Sequence, residues 1–176
     1  GTAYRTYVGG VVGFNGEGGH SFKNITSNIN VEGTTCDVGG LFGIAHYGNQ
    51  FENCSCSGNV TITTDEVENA LEMGGIAGVW HNATGHTVTL DGCEFTGTLE
   101  TNKNVKYYYR GLIGKPYDTT GLGKLIVDGV HYVASANTLA DILENFDGRE
   151  ILFGYDIKGD ATVYQNEGQN VVINGD

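Results

Sequence analysis

Apolar and polar residues alternate with a period of two along several short stretches of the chain, and these stretches recur. Mostly apolar residues occupy every second position after Asn24, after Asn53 and after Gly92. Alternation of this kind predicts short strands that bury one face. The predicted inward positions are Ile25, Ser27, Ile29 and Val31, then Cys54, Cys56, Gly58, Val60 and Ile62, then Cys93, Phe95, Gly97 and Leu99, and finally Val130, Tyr132 and Ala134.

A four-residue template opens each stretch and predicts a turn. An apolar residue, a charged residue, Asn or Gly, and a second apolar residue follow one another from residues 22, 51, 90 and 127. Asn and Gly tolerate left-handed backbone better than other residues do. Tight corners are therefore expected at the third template position, which is Asn24, Asn53, Gly92 and Gly129.

A glycine-rich motif recurs upstream of each template. Its copies are Val8-Gly-Gly-Val-Val-Gly13, Val38-Gly-Gly-Leu-Phe-Gly43, Met73-Gly-Gly-Ile-Ala-Gly78 and Arg110-Gly-Leu-Ile-Gly114, displaced by 30, 35 and 36 residues. Self-similarity at such a period is typical of repeat architectures. Both parities of this segment are apolar. Either the glycines bend it so that both sets turn inward, or another element covers its outer face.

The period and the alternation together predict the fold class. A repeat of about 35 residues is too long for one strand, so each repeat is expected to contain several short strands stacked ~4.8 Å from their equivalents. The sequence therefore predicts an all-β fold, a right-handed parallel β-helix of about four coils. Equivalent residues would form ladders, such as Ile25–Cys54–Cys93–Val130 and Ser27–Cys56–Phe95–Tyr132.

The repeats are expected to span residues 1–137, with a capping segment at 138–176 on the same core. Apolar residues with helical spacing predict a short amphipathic helix in this segment; they are Leu139, Ile142, Leu143 and Phe146. Strand-like runs follow at 150–155, 161–165 and 170–174. Such a cap would close the stacked repeats. No comparable cap precedes the first repeat, so we expect a longer parent chain.

Charge and composition narrow the classes of partner. The net charge is −12 with only nine Lys and Arg, which disfavours nucleic acid and anionic membranes. No stretch approaches the ~20 apolar residues of a membrane-spanning helix. The four cysteines, of which Cys54 and Cys93 share a ladder, are expected to be small buried hydrophobes with free thiols.

Candidate ligand-binding residues lie in the loops after the glycine motif. His46 and His81 each follow their closing glycine by three residues, and stacked imidazoles could share a metal. No acidic or cysteine ligand recurs at that position, so no metal site or other cofactor is predicted. Trp80, Tyr47 and Tyr117 complete the candidate binding set, because sugar faces stack on aromatic rings. The alternative interpretation is that these rings cover the sheets.

One pair of carboxylates motivates an enzymatic alternative. Glu52 and Asp91 occupy the same template position. Two carboxylates ~5 Å apart could serve a retaining glycosidase, or could bind calcium with further oxygens. Outward charge is, however, expected beside a turn for solubility alone. No catalytic residue is therefore predicted.

The motifs Gly-Gly-Leu-Phe-Gly43, Gly-Gly-Ile-Ala-Gly78 and Gly-Leu-Ile-Gly114 resemble the GLUG motif of bacterial surface proteins, over about residues 7–137. That motif occurs in tandem in adhesin-like proteins and in non-catalytic parts of IgA-cleaving peptidases. The resemblance implies an exported, surface-displayed bacterial module. The expected function is a non-enzymatic, adhesin-like spacer or scaffold whose loops bind a glycan or host surface protein. The alternative is a polysaccharide-degrading β-helix, a lyase or glycoside hydrolase.

Overall fold

Twenty short strands and one helix make up the described structure. The computed structural model describes residues 6–16, 18–63, 71–81, 83–102, 107–108, 111–114, 123–133, 136–153 and 173–175. The strands of repeat 1 are β1 (Tyr7–Gly9), β2 (Ser21–Lys23), β3 (Thr26–Ser27) and β4 (Val31–Thr34). Those of repeat 2 are β5 (Asp37–Gly39), β6 (Phe42–Ala45), β7 (Gln50–Glu52), β8 (Ser55–Cys56) and β9 (Val60–Thr63).

The later repeats follow the same order. Repeat 3 contains β10 (Met73–Gly74), β11 (Ala77–Trp80), β12 (Thr87–Asp91), β13 (Glu94–Phe95) and β14 (Leu99–Thr101). Then come β15 (Tyr107–Tyr108), and β16 (Ile113–Gly114) and β17 (Lys124–Val127) of repeat 4. The C-terminal elements are β18 (Val130–Val133), α1 (Ala136–Glu144), β19 (Ile151–Phe153) and β20 (Ile173–Gly175).

The strands form five sheets, and repeat 2 contributes one strand to each of them. The sheet orders are β1-β5-β10, β15-β16-β11-β6, β2-β7-β12-β17-β18-β19-β20, β3-β8-β13 and β4-β9-β14. Every strand pairing between repeats 1 and 2, 2 and 3, or 3 and 4 is parallel. The chain is thus mostly β with parallel sheets, as predicted.

The template residues of successive repeats lie side by side, which confirms the predicted register. Phe22 pairs with Phe51, Phe51 with Leu90, and Leu90 with Val127. The predicted corners also have left-handed backbone, with φ of 56° at Asn24, 52° at Asn53, 58° at Gly92 and 80° at Gly129.

The predicted cysteine ladder forms across the first three repeats. Ser27 pairs with Cys56, and Cys56 with Phe95. In the adjacent ladder, the Cys54 carbonyl accepts a hydrogen bond at 3.0 Å from the amide of Glu94, the residue after Cys93. All four cysteines are buried free thiols, and burial raises the pKa of Cys93 to about 11.

Three predicted positions are wrong: Ile29 is not inward, and Val130 and Tyr132 do not continue their ladders. Ile29 is 55% exposed, although its parity placed it inside. Val130 does not continue the ladder, because β18 folds back antiparallel on β17 and pairs Val130 with Val127. Asp128 and Gly129 both have positive φ, which a two-residue type I′ hairpin turn requires. Tyr132 accordingly pairs with Leu125 and not above Phe95.

The glycine motif bends the chain and so buries both parities. The strand is interrupted at Gly40 and Leu41, between β5 and β6. Val38 and Leu41 are both 0% exposed, but they belong to two different hydrophobic clusters. The first of the two sequence alternatives is therefore correct for repeat 2. In repeat 1 the equivalent Val11 is 50% exposed.

The C-terminal helix forms close to its predicted position. It begins at Ala136 and ends at Glu144. Its residues Leu139, Ile142 and Leu143, together with Phe146 just beyond its end, pack around Val133 and Ile151. Strands β19 and β20 extend the seven-stranded sheet in parallel from β18. The predicted run at 161–165 lies outside the described residues. No described helix has the length and apolar character needed to span a bilayer.

Candidate functional site

The two histidines leave neighbouring strands at the same level. Ala45, the last residue of β6, pairs with Trp80, the last residue of β11. The next amide, that of His81, donates a 2.9 Å hydrogen bond to the Ala45 carbonyl. The residues that follow the two strands, His46 and His81, are therefore placed one strand spacing apart. This confirms their predicted juxtaposition.

Their side chains form a compact ring cluster with Tyr47. The imidazoles of His46 and His81 stack with centroids 5.0 Å apart and planes at 18°. Tyr47 meets both edge-on, with centroids at 3.8 Å from His46 and 4.3 Å from His81. His86 completes this imidazole–tyrosine cluster, its ring 5.3 Å from that of Tyr47. Tyr47 and His81 are half-buried and His86 is exposed, so the cluster reaches solvent.

The electrostatics of the cluster favour a neutral His46. Burial lowers the pKa of His46 below its ordinary value, and the nearby imidazoles of His81 and His86 lower it further. Nδ1 of His46 is buried and has no hydrogen-bond partner. Face-to-face rings direct their in-plane nitrogen lone pairs side by side, not toward one shared point. Within the described ranges, no group of three or more His, Cys, Asp and Glu residues could hold a metal ion.

A polar cavity of about 290 Å³ adjoins the cluster through His86. Its lining residues are Thr84, Gly85, His86, Thr87, Lys124 and Asp141. Nζ of Lys124 lies 2.8 Å from a carboxylate oxygen of Asp141, so the cavity wall carries an ion pair beside hydroxyls and an imidazole. Groups of this kind can donate and accept hydrogen bonds with a polar ligand.

Sequence reasoning missed this cavity because three separate elements build it. Lys124 of β17 reaches the cavity because it is the register partner of Thr87 on β12. Asp141 comes from helix α1, which packs through its other face on Val133 and Ile151. The only local signal was His86, five residues after His81 in the same variable loop.

The prediction that Trp80 belongs to the binding site is wrong. Its side chain is 1% exposed and lies in the main hydrophobic cluster with Phe42, Phe51 and Leu90. A ring without an accessible face cannot stack on a sugar, so Trp80 is a core residue. The physical reason is that β11 is buried at all four of its positions. Tyr117, the remaining predicted residue, lies outside the described residues.

The two carboxylates behind the enzymatic alternative are adjacent, and one of them pairs with a cation. Glu52 and Asp91 are register partners on β7 and β12, as predicted. The ammonium of Lys23, one repeat earlier, forms an ion pair with Glu52. On the other side Asp128 Oδ1 accepts a 2.9 Å hydrogen bond from the Gly92 amide. The ladder thus consists of one cation followed by three acidic residues at partly or fully exposed turns, as a solvated surface does.

A second acidic ladder, missed by the sequence reasoning, is closed to solvent. Asp37 and Glu72 are each 1% exposed and lie at equivalent positions before the glycines of repeats 2 and 3. Asp37 Oδ1 accepts a 2.8 Å hydrogen bond from the Glu72 amide. This arrangement ties successive repeats together. It offers no open surface to a polymer substrate.

Comparison with known proteins returns nothing that assigns the chain to a family. No protein-family model matches it, and neither a curated protein nor a solved structure does.

Proposed function

We propose that this chain is a non-enzymatic, adhesin-like module of an exported bacterial surface protein. In this proposal the parallel sheets are the walls of a right-handed parallel β-helix of about four coils, and the GLUG-like glycine motif marks each coil. The module acts as a scaffold that displays its loops to a glycan. The observation that supports this best is the imidazole–tyrosine cluster beside the polar cavity.

A glycan suits the chemistry of that surface. Sugars present hydroxyl groups together with apolar ring faces, so their sites combine hydrogen-bonding groups with an accessible aromatic ring. Tyr47 supplies a half-buried ring. His86, whose ring lies 5.3 Å from that of Tyr47, supplies a donor or acceptor, and the hydroxyls of Thr84 and Thr87 line the cavity beside it. Nucleic acid would be repelled by the net charge of −12.

The test is binding of the full chain to a glycan array, repeated with two variants of one residue. Tyr47→Ala removes the ring and should weaken binding by at least about tenfold, whereas Tyr47→Phe keeps the ring face and should retain most of it. His20→Ala is the control, because His20 is exposed and its ring lies near Phe22 instead of the cluster.

Two outcomes would contradict the proposal. Release of reducing or unsaturated sugar ends on incubation with polysaccharide would favour the hydrolase or lyase alternative. The Glu52→Gln and Asp91→Asn variants would then show whether the carboxylate ladder is responsible. Absence of binding to any glycan or host surface protein would favour a purely structural spacer.

A further inference from the structure

The loop between β11 and β12 forms one wall of the polar cavity, and backbone hydrogen bonds fix its shape. The His86 amide donates a 3.1 Å hydrogen bond to the Ala83 carbonyl, which closes a turn. Gly85, at the third position of this turn, has a φ of 80°, as a type II turn requires. The His86 carbonyl accepts a 2.9 Å hydrogen bond from the Lys124 amide, so the loop is tied to β17. This side of the cavity is therefore preorganised for a ligand.

The ion pair between Lys124 and Asp141 forms another part of the cavity wall. Among the described residues that line the cavity, these are the only lysine or arginine and the only acidic residue. Their charged atoms lie 2.8 Å apart, and the two side chains are 27% and 32% exposed. The pair uses one of three ammonium donors and one of about four acceptor sites on the carboxylate. Both groups therefore keep hydrogen-bonding capacity that a ligand can reach.

The spacing of these two charged groups matches that of a vicinal diol. On a sugar ring, hydroxyls on adjacent carbons are gauche to each other unless both are axial. Gauche oxygens lie about one hydrogen-bond length apart, as do the Lys124 ammonium and the Asp141 carboxylate. One hydroxyl can accept from the ammonium while its neighbour donates to the carboxylate, and the ion pair stays intact. A diol therefore satisfies both charged groups at once, which a single hydroxyl does not.

Charge favours a neutral sugar over an acidic one. The Asp141 carboxylate already neutralises the Lys124 ammonium, so a ligand carboxylate would have to displace it and leave Asp141 unpaired. The whole chain carries a net charge of −12, which repels anionic ligands at longer range. A protonated amino sugar would in the same way have to compete with Lys124 for Asp141. The pair therefore discriminates against both kinds of charged sugar.

The size of the cavity suits a single sugar unit. Its volume of about 290 Å³ lies near the lower limit of ligand pockets, which is about 300 Å³. The hydroxyls of Thr84 and Thr87 add hydrogen-bonding groups around the ion pair. His86 connects the cavity to the half-buried ring of Tyr47, 5.3 Å away, on which a neighbouring unit can stack. The cavity thus holds one unit, and the cluster supports the next.

We propose that the cavity binds one neutral sugar unit through two vicinal hydroxyls, one held by Lys124 and the other by Asp141. This inference rests on the proposed glycan-binding function and names the class of glycan that the site takes. Acidic sugars, and sugars without a free vicinal diol, are excluded from the cavity. Because Lys124 lies on β17 and Asp141 on helix α1, the site is complete only when the helix packs on the sheet.

An array that carries neutral, acidic and amino-sugar glycans tests the class of ligand with the full chain. We expect binding to neutral glycans with a free vicinal diol, and binding at least about tenfold weaker to the others. A duplicate array treated with mild periodate and then borohydride, which cleaves the carbon–carbon bond of vicinal diols, should lose the binding. Preference for acidic glycans, or unchanged binding after periodate, would overturn the inference and leave the proposed glycan binding in place.

Substitutions in the ion pair assign the binding to these two residues. Asp141→Asn keeps the side-chain shape but leaves Lys124 uncompensated. It should weaken binding to neutral glycans at least about tenfold and strengthen binding to carboxylate-bearing glycans several-fold, which loss of a structural contact alone would not do. Lys124→Gln should weaken neutral binding without that gain. Glu94→Gln is the matched control, because it removes one exposed anion from β13 in another sheet, and it should change neither affinity.

The outcomes separate this inference from the proposed function. Binding that Tyr47→Ala abolishes but both ion-pair substitutions leave unchanged would overturn the diol inference and retain glycan binding. Absence of binding to every glycan would overturn both. The side chains of Lys124 and Asp141 are partly exposed, so their variants should keep the wild-type circular dichroism spectrum. If one variant fails to fold, the other variant and the periodate-treated array still decide.

Discussion

At the residue scale, Gly40 shows why glycine recurs at the bend of each repeat. A Cβ atom at this position would overlap the carbonyl oxygen of Gly75 in the next repeat and lie 2.6 Å from Cys56 Sγ. The first of these is backbone and cannot move aside without breaking the stack. Glycine is therefore required at position 40 because two layers approach each other closely there, and not because the backbone is left-handed.

Gly40→Ala should consequently lower the free energy of unfolding by about 1–3 kcal/mol through overpacking. Gly16→Ala is the matched control, since a Cβ there meets only Phe14 Cε1 at 3.4 Å and its φ is not left-handed. It should change stability by no more than about 0.5 kcal/mol. Denaturant unfolding of both variants measures the difference. Equal effects would mean that the layers are not in close contact at Gly40.

Protonation of His46 makes part of the free energy of unfolding depend on pH. Its pKa is lowered in the folded protein by burial, then by His81 and His86, relative to about 6.5 in an unfolded chain. The unfolded chain therefore binds the proton more readily. The resulting stability is complete above about pH 6.5 and is lost as the pH falls from there through the lower folded pKa.

The His46→Phe variant keeps a planar ring but cannot titrate. Between about pH 7.5 and pH 5, the wild type should lose more unfolding free energy than this variant does. The two proteins differ only at residue 46, so the difference is assigned to His46 and its contacts with His81 and His86. Denaturant unfolding at the two pH values measures it. Identical losses in the two proteins would contradict the lowered pKa.

The sequence contains a local signal for the hairpin after β17 that the prediction from the repeats did not take into account. Asp-Gly occurs twice in the template, at Asp91-Gly92 and at Asp128-Gly129. In the first, only Gly92 has positive φ and the chain continues to the next sheet; in the second, both residues do and the chain reverses. Asp-Gly between alternating apolar residues is a strong hairpin signal. The repeated template instead predicted that the chain would continue to the next sheet. In the structure, the chain reverses after Gly129 and β18 pairs with β17.

At the element scale, helix α1 joins the C-terminal segment to the candidate site. Its apolar face packs on β18 and β19 through Ile142, which is 2% exposed. The neighbouring residue Asp141 faces the cavity and pairs with Lys124. The position of the helix therefore determines whether this ion pair forms the cavity wall.

Ile142→Ala should lower the free energy of unfolding by about 2–5 kcal/mol, as truncation of a buried isoleucine does. Glu144→Ala is the control on the same helix, because Glu144 is exposed; it should cost no more than about 0.5 kcal/mol. Thermal or denaturant unfolding distinguishes them. A neutral Ile142→Ala would show that the helix does not pack on the sheet.

The elements differ in how far sequence could predict them. Period-two alternation and the helical spacing from Leu139 to Phe146 located the strands and the helix, because both patterns are local. The bend at Gly40 was left open between two geometries, because its cause is contact with the following repeat. The site shows the same limit: the His46–His81 stack followed from the repeat register, whereas the cavity required α1 and β17 to meet.

At the scale of the whole molecule, register is the property on which the structure and the proposed function depend. Parallel pairing holds at displacements of 29 to 39 residues, because loops of different length are accommodated between constant strands. This pairing aligns His46 with His81. Pairs such as buried Cys56 with partly buried Phe95 hold the layers together.

Disulfide formation across β8 and β13 tests this register most directly. Ser55 and Glu94 are register partners with accessible side chains. Parallel partners lie about 4.8 Å apart, within the span of about 4.4–6.8 Å that a disulfide bridges. Thr96 lies two residues further along the chain, so its Cα should be on the order of 8 Å from that of Ser55. The native cysteines are buried, so we expect them to react slowly.

The measurement is the rate of cross-linking under mild oxidation, with the linked peptides identified by mass spectrometry. Stacking of like residues predicts rapid bond formation in the Ser55→Cys/Glu94→Cys variant and little in Ser55→Cys/Thr96→Cys. Equal rates in the two variants, or a bond only in the second, would contradict the register and with it the alignment of the candidate site.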